Sequence, residues 1–226
     1  FNIMATIWTF GDSYTAPFAP DPNLNDWRNK YCDWKGYVPK VYGDVMSETL
    51  GMPLKNLGEG GTDNRTILDS IINSLGTIKD DDIIIIGWSS VLRFRLVNTS
   101  NKFQAVLPSI PRKIYKNLGF DVRPSTIEDI LLNRSHINYV KEHNKIIKMI
   151  RFLFKNNRII QWSPFCMNNC SDEMKVENII LTIVNIKDES KGDVDDGHFS
   201  EKTQRELAEK FLTVLDKGGK ITNKMI

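Results

Sequence analysis

A serine stands at position 13 directly after Gly11-Asp12, where the apolar run Thr6-Ile7-Trp8-Thr9-Phe10 breaks off. Near the other end of the chain, Asp195-Asp196-Gly197-His198 sets a carboxylate and an imidazole three residues apart, counting from Asp195. These are the parts of a nucleophilic triad: a hydroxyl attacks, an imidazole takes its proton, and a carboxylate orients the ring and supports its charge. Ser13, His198 and Asp195 are the candidates, with Asp193 and Asp196 as neighbouring carboxylates. Three more polar or glycine-rich clusters follow apolar runs in the same manner: Gly58-Glu59-Gly60-Gly61, Gly87-Trp88-Ser89-Ser90 and Ser163-Pro164.

Groups so far apart in sequence need a scaffold that brings them to one edge. The run ending at Phe10 reads as a buried strand, and Pro53 to Leu57, Ile83 to Ile86 and Arg158 to Trp162 as three more. The unbroken Ile83-Ile84-Ile85-Ile86 is what a strand covered on both faces looks like. Helix-spaced apolar residues run from Val38 to Leu50 and stop at Gly51. A second stripe, Ile67, Leu68, Ile71, Ile72 and Leu75, follows a cap at Thr62 or Asp63. Helical tracts are also expected at about 126–155 and from Ser200 to Leu215, with a fifth strand near the end of 176–186. Residues 16–35 read as a long loop, and 97–123 as a lid-like insertion. Strands alternating with helices imply β-α-β units: an α/β, three-layer α/β/α sandwich with a parallel sheet of about five strands. In such sheets the reacting groups gather at the carboxyl ends of the strands, where Gly11-Asp12-Ser13 and the three other strand-end clusters fall, while Asp195 to His198 comes just before the last helix.

Composition narrows the function classes. The 226 residues make one generous domain, taken as 4–226 with Met4 as the natural start. A net charge of +2 argues against a dedicated nucleic-acid binder, whose affinity rests on a large basic excess. No apolar run approaches the ~20 residues of a membrane span, and no basic-then-apolar leader opens the chain, so a cytoplasmic setting is expected. Three cysteines, Cys32, Cys166 and Cys170, cannot form a complete disulfide framework, and with three histidines a four-ligand zinc site is not expected.

Phe10-Gly11-Asp12-Ser13-Tyr14 resembles the first block of the SGNH (GDSL-type) hydrolases. Asn56-Leu57-Gly58-Glu59-Gly60-Gly61 is similar to their second block, in which a glycine five residues after the asparagine offers an oxyanion-hole amide. Asp195-Asp196-Gly197-His198 matches their final Asp-x-x-His block, and that spacing selects Asp195. The third block departs: where the family has Gly-x-Asn-Asp, this chain has Gly87-Trp88-Ser89-Ser90, which puts Ser89 in the place of an oxyanion-binding asparagine. The longer segment Gly87 to Phe94 is also similar to one in SGNH-like proteins encoded by bacteriophages. The resemblance implies a serine esterase of SGNH-hydrolase, flavodoxin-like fold, cleaving a small acyl ester such as an O-acetyl group on a sugar or other polar substrate. The oxyanion would be held by the amides of Ser13 and Gly61, with Ser89 as a third donor. No cofactor and no metal are implied. The partner expected is a small-molecule or carbohydrate ester, not nucleic acid or membrane. A non-catalytic binding protein on the same fold is the alternative, because of the missing asparagine. An acyltransferase using the same serine is another.

Other residues carry two readings each. Trp88 and Arg93 are candidate substrate contacts, against core packing for the first and a scaffold ion pair for the second. Trp27 and Trp34 divide the same way. Asn56 could anchor a loop, and Asp12 should brace the Gly-Asp-Ser turn. His136 and His143 share a helix face, read as solvated, and Asp80-Asp81-Asp82 reads as a charged loop.

Overall fold

The computed structural model describes residues 5–21, 26–90, 93–97, 103–106, 136–164, 179 and 181–217. In chain order the elements are β1 (Ile7–Gly11), α1 (Trp27–Lys35), α2 (Tyr42–Leu50), β2 (Leu54–Gly58), α3 (Asn64–Ser74), β3 (Ile83–Gly87), β4 (Phe94–Val97), β5 (Phe103–Val106), α4 (His136–Leu153), β6 (Arg158–Trp162), α5 (Ile186–Glu189) and α6 (Glu201–Asp216). Four strands form one parallel sheet in the order β2-β1-β3-β6, and β4 and β5 pair separately as an antiparallel ribbon. Side chains alternate across the strands, so the sheet feeds two cores. Ile7, Ile83, Ile85 and Ile160 pack with Tyr42 and Met46 of α2 and Leu207, Ala208 and Phe211 of α6. Trp8, Phe10, Ile84 and Ile86 pack on the opposite face with Ile67 and Ile71 of α3 and Ile147 and Ile150 of α4. Helices on both faces of a parallel sheet make the α/β, three-layer arrangement that the continuous isoleucine run implies.

Two expectations need correction. Residues 16–35 are not wholly loop, because α1 lies within them. Asp26 accepts from the Arg28 and Asn29 amides at its start, and Gly36 takes φ 74° at its end, so side chain and backbone cap both ends of a nine-residue helix. No fifth sheet strand forms among the described residues of 176–186. Asn185 makes only an isolated bridge to Phe199, and the chain turns at once into α5. The expected insertion at 97–123 begins within the β4–β5 ribbon, and its remainder from 107 on lies outside the described residues, as does 126–135 of the expected long helix.

Candidate active site

Three glycines end adjacent strands in register: Gly11 opposite Gly58 on one side and Gly87 on the other. The turn after β1 folds back onto them. A Cβ on Gly11 would stand 2.1 Å from Thr15 Oγ1, one on Gly58 2.7 Å from the Ala16 amide nitrogen, and one on Gly87 2.7 Å from Thr15 Oγ1. Only bare backbone admits so close an approach. The turn is closed by the Thr15 and Ala16 amides donating to the Asp12 carbonyl, each at 2.9 Å. It is then pinned from three elements: the Tyr42 hydroxyl reaches Thr15 Oγ1 at 3.1 Å, Asn56 Nδ2 donates to the Thr15 carbonyl at 2.9 Å, and Gln204 Nε2 donates to the Tyr14 carbonyl at 3.0 Å. Asn56 is thus a loop anchor. Thr15 and Gln204 carry no signal in the sequence beyond ordinary polarity at a loop or helix position, and Tyr42 reads only as part of an apolar helix stripe.

The turn presents Ser13 to His198. Ser13 Oγ and His198 Nε2 are 2.7 Å apart, and His198 Nδ1 lies 2.6 Å from Asp196 Oδ1. An ionised carboxylate only accepts, so Nδ1 donates to Asp196 and leaves Nε2 to accept the serine proton. The carboxylate is Asp196 and not Asp195. Asp196 Oδ1 also accepts from the His198 amide at 2.8 Å. This Asx-type turn reaches two residues on, and carries the carboxylate to the ring as well. Asp195 points away: its side chain is 82% exposed and pairs with Lys187 at 2.8 Å, which holds its carboxyl below the usual range. Trp27 of α1 covers the imidazole, stacked at 4.3 Å between centroids with planes 11° apart. Of its two readings from the sequence, lining of the pocket is the one the structure shows.

The cavity in front of these groups has a volume of about 370 Å³ and is lined by Ser13, Trp27, Arg28, Gly60, Gly61, Arg93 and His198. Gly61 sits there with φ 77°, the left-handed region that favours glycine. Arg93, a candidate substrate contact, is at the wall. Its Nη1 donates to the Thr62 carbonyl at 2.7 Å and stands 3.7 Å from Asp12 Oδ2. Asp12 braces the turn as expected, its Oδ1 accepting from the Tyr14 amide. Burial pushes its carboxyl above the usual range, opposed by that amide, by the neighbouring Ser89 hydroxyl and by the Arg93 guanidinium.

Two other candidates are elsewhere. Ser89 is wholly buried and its hydroxyl neighbours Asp12, not the cavity. Trp88 is also wholly buried, its Nε1 donating to Gln161 Oε1 at 3.0 Å, and its ring meets His143 edge-on. The reason is common to both. The Trp88 amide donates to the Trp162 carbonyl at 2.8 Å, so the chain here prolongs the ladder of a central strand, with Trp88 packed among residues of α4 and the Ser89 carbonyl accepting from Asn64 Nδ2 of α3. His143 is accordingly buried, not solvated, and burial holds its pKa down at about 4. Asp82 is likewise no surface charge. It accepts from the Thr6 and Lys79 amides and from Trp8 Nε1. Among the described residues no group of three or more His, Cys, Asp or Glu is placed to hold a metal, and no helix is long and apolar enough to cross a membrane.

Neither a family model nor a curated protein sequence matches the chain. Solved structures are similar to it over most of its length. One is a carbohydrate esterase whose active site is described as displaying divergent catalytic and non-catalytic binding functions. It is 15% identical with a TM-score of 0.45, over 94% of this chain and 68% of that one. Another, from Desulfitobacterium hafniense, is assigned to the lipolytic G-D-S-L family (12% identity, TM-score 0.37, 92% and 98% covered). A third, from Parabacteroides merdae, is described as GDSL-like lipase (15%, 0.32, 93% and 75%). At these scores the chemistry has to be read from the side chains themselves.

Proposed function

We propose that the chain is a serine esterase that cleaves a small acyl ester, such as an O-acetyl group on a sugar or other polar substrate, through Ser13, His198 and Asp196. The observation that carries this reading is the continuous relay Ser13 Oγ, His198 Nε2, His198 Nδ1, Asp196 Oδ1, with both links under 3 Å. Ser13 Oγ attacks the ester carbonyl carbon while its proton passes to His198 Nε2. The imidazolium so formed is stabilised by Asp196 and faced by Trp27. The oxyanion is met by the amides of Ser13 and Gly61. Collapse expels the alcohol, which takes the proton from Nε2. Water, giving its proton to the same nitrogen, then cleaves the acyl-serine. No step in this sequence calls for a metal or cofactor.

A fluorophosphonate probe should label Ser13, and Ser13→Ala should abolish the label. Labelling that survives the substitution would place the reactive nucleophile elsewhere. A second reading, a binding protein on the same scaffold, is favoured by one observation: buried Ser89 leaves the oxyanion without the side-chain donor that the third block supplies in the family. Loss of one such donor costs ~10²–10³ in rate. An unlabelled Ser13 in folded protein would decide for that reading.

A further inference from the structure

The cavity wall is electrostatically one-sided. Among the described residues, its lining includes two guanidinium side chains and an imidazole, and no carboxylate. Two carboxylates near the wall stand behind it, and a third, partly exposed, is already paired with Arg28. Asp12 is 1% exposed beneath the serine turn, Asp196 lies behind the imidazole, and Asp26 caps α1, reaching Arg28 Nη1 at 3.2 Å. Each arginine is held in place before any ligand arrives. Arg93 is fixed by the Thr62 carbonyl and Asp12. Arg28 lies over the Trp27 ring at 4.8 Å, so imidazole, indole and guanidinium form one stack. A Cβ at position 60 would stand 2.4 Å from Arg28 Nη2, so the bare Gly60 leaves room for the fork at the wall. A guanidinium carries five N–H donors, and the described contacts of these two side chains engage only Nη1. A planar fork of this kind pairs with carboxylate or phosphate through two parallel bonds. Its prior restraint removes much of the ordering cost of binding.

We infer that the ester carries an anionic group, a carboxylate or phosphate close to the scissile bond, and that Arg28 and Arg93 hold it. This rests on the esterase reading above and names its substrate class.

The test uses matched pairs that differ in charge: 4-nitrophenyl hydrogen glutarate against 4-nitrophenyl pentanoate for the acyl side, and 4-acetoxybenzoate against 4-acetoxybenzamide for the alcohol side. The readout is the ratio of kcat/KM within a pair. The full chain should favour the anionic member of at least one pair by about tenfold or more, as expected of a partly exposed charge-assisted contact. Arg28→Gln and Arg93→Gln should each remove most of that preference. If Arg93→Gln fails to fold beside Asp12, Arg93→Lys keeps the charge and loses the fork, and should cut the ratio by about threefold. A ratio near one in both pairs overturns the inference while leaving the esterase intact. An equal fall on both members of a pair also overturns it, by putting the arginines at the developing oxyanion. If no ester is cleaved, the esterase reading fails, and calorimetric titration with glutarate and inorganic phosphate decides the anion site separately. Binding weakened about tenfold by Arg28→Gln supports the site, and no heat, or heat indifferent to the substitution, refutes it.

Discussion

Asp195 and Asp196 are adjacent, yet their replacement by asparagine should have very different consequences. Asp196 lies 2.6 Å from His198 Nδ1. In the proposed reaction, once the ring has gained a proton from Ser13, carboxylate and imidazolium face each other at a separation of ~4 Å between charge centres. At an effective dielectric of about 20 such a pair is worth ~4 kcal/mol. A tenfold rate change is 1.36 kcal/mol, so losing the charge costs ~10³ in kcat. Asp196→Asn also frees the ring to adopt the wrong tautomer, which raises the expected loss towards ~10⁴. Asp195 faces solvent and pairs with Lys187, so Asp195→Asn should change kcat by less than about threefold. The assay is hydrolysis of a short 4-nitrophenyl ester by both variants, with circular dichroism to confirm folding. Near-normal turnover by Asp196→Asn, together with a collapse in Asp195→Asn, would refute the relay and restore the Asp-x-x-His spacing as the true guide.

Ser89→Ala should lower kcat by less than about threefold, since the hydroxyl neighbours Asp12 instead of the cavity; a tenfold loss in steady-state kinetics would return Ser89 to the oxyanion. Gly11→Ala should destabilise the fold by about 2–3 kcal/mol in urea unfolding, because its methyl group must displace Thr15 from 2.1 Å; an unchanged midpoint would contradict the packing of the turn. His143 titrates at about 4 in the folded chain against 6.5 for the ordinary group, so between these values the unfolded chain binds more protons. The stability is fully present above pH 6.5 and is lost as pH falls towards 4, a difference of 2.5 units at 1.36 kcal/mol each, or about 3 kcal/mol. His143→Phe should flatten unfolding free energy against pH in that window, and an unchanged slope would point to another group.

The central strands were legible because they are apolar runs, whereas the β4–β5 ribbon was not read as strands at all. Ile83 to Ile86 could be nothing but a strand covered on both faces, and Arg158 to Trp162 appears with both ends where hydropathy puts them. Helix α1 was not legible by the same rule. Its buried face is Tyr31 and Cys32, with Trp27 half-buried, so aliphatic periodicity is absent, and only the caps at Asp26 and Gly36 mark it. The serine and histidine were readable from their clusters, whereas the carboxylate was not. Spacing counts residues, but the Asx-type turn at 196–198 decides which of two adjacent carboxylates turns back. Ser89 and Trp88 show the same limit at a strand end. Alignment puts them at the cavity, and the register of a central strand keeps them in the core.

The glycine shelf has a consequence for when the protein becomes competent. Ser13 is aimed only once β1, β2 and β3 lie in register and Thr15 has settled on all three, and its partner His198 sits 185 positions along the chain. Contacts of such long sequence separation form late, after the entropy of closing large loops has been met. A partly assembled sheet therefore holds a serine with no direction and no base. Recovery of ester cleavage during refolding should trail the return of helical signal, so that the nucleophile serves as a clock for the last docking event of the fold.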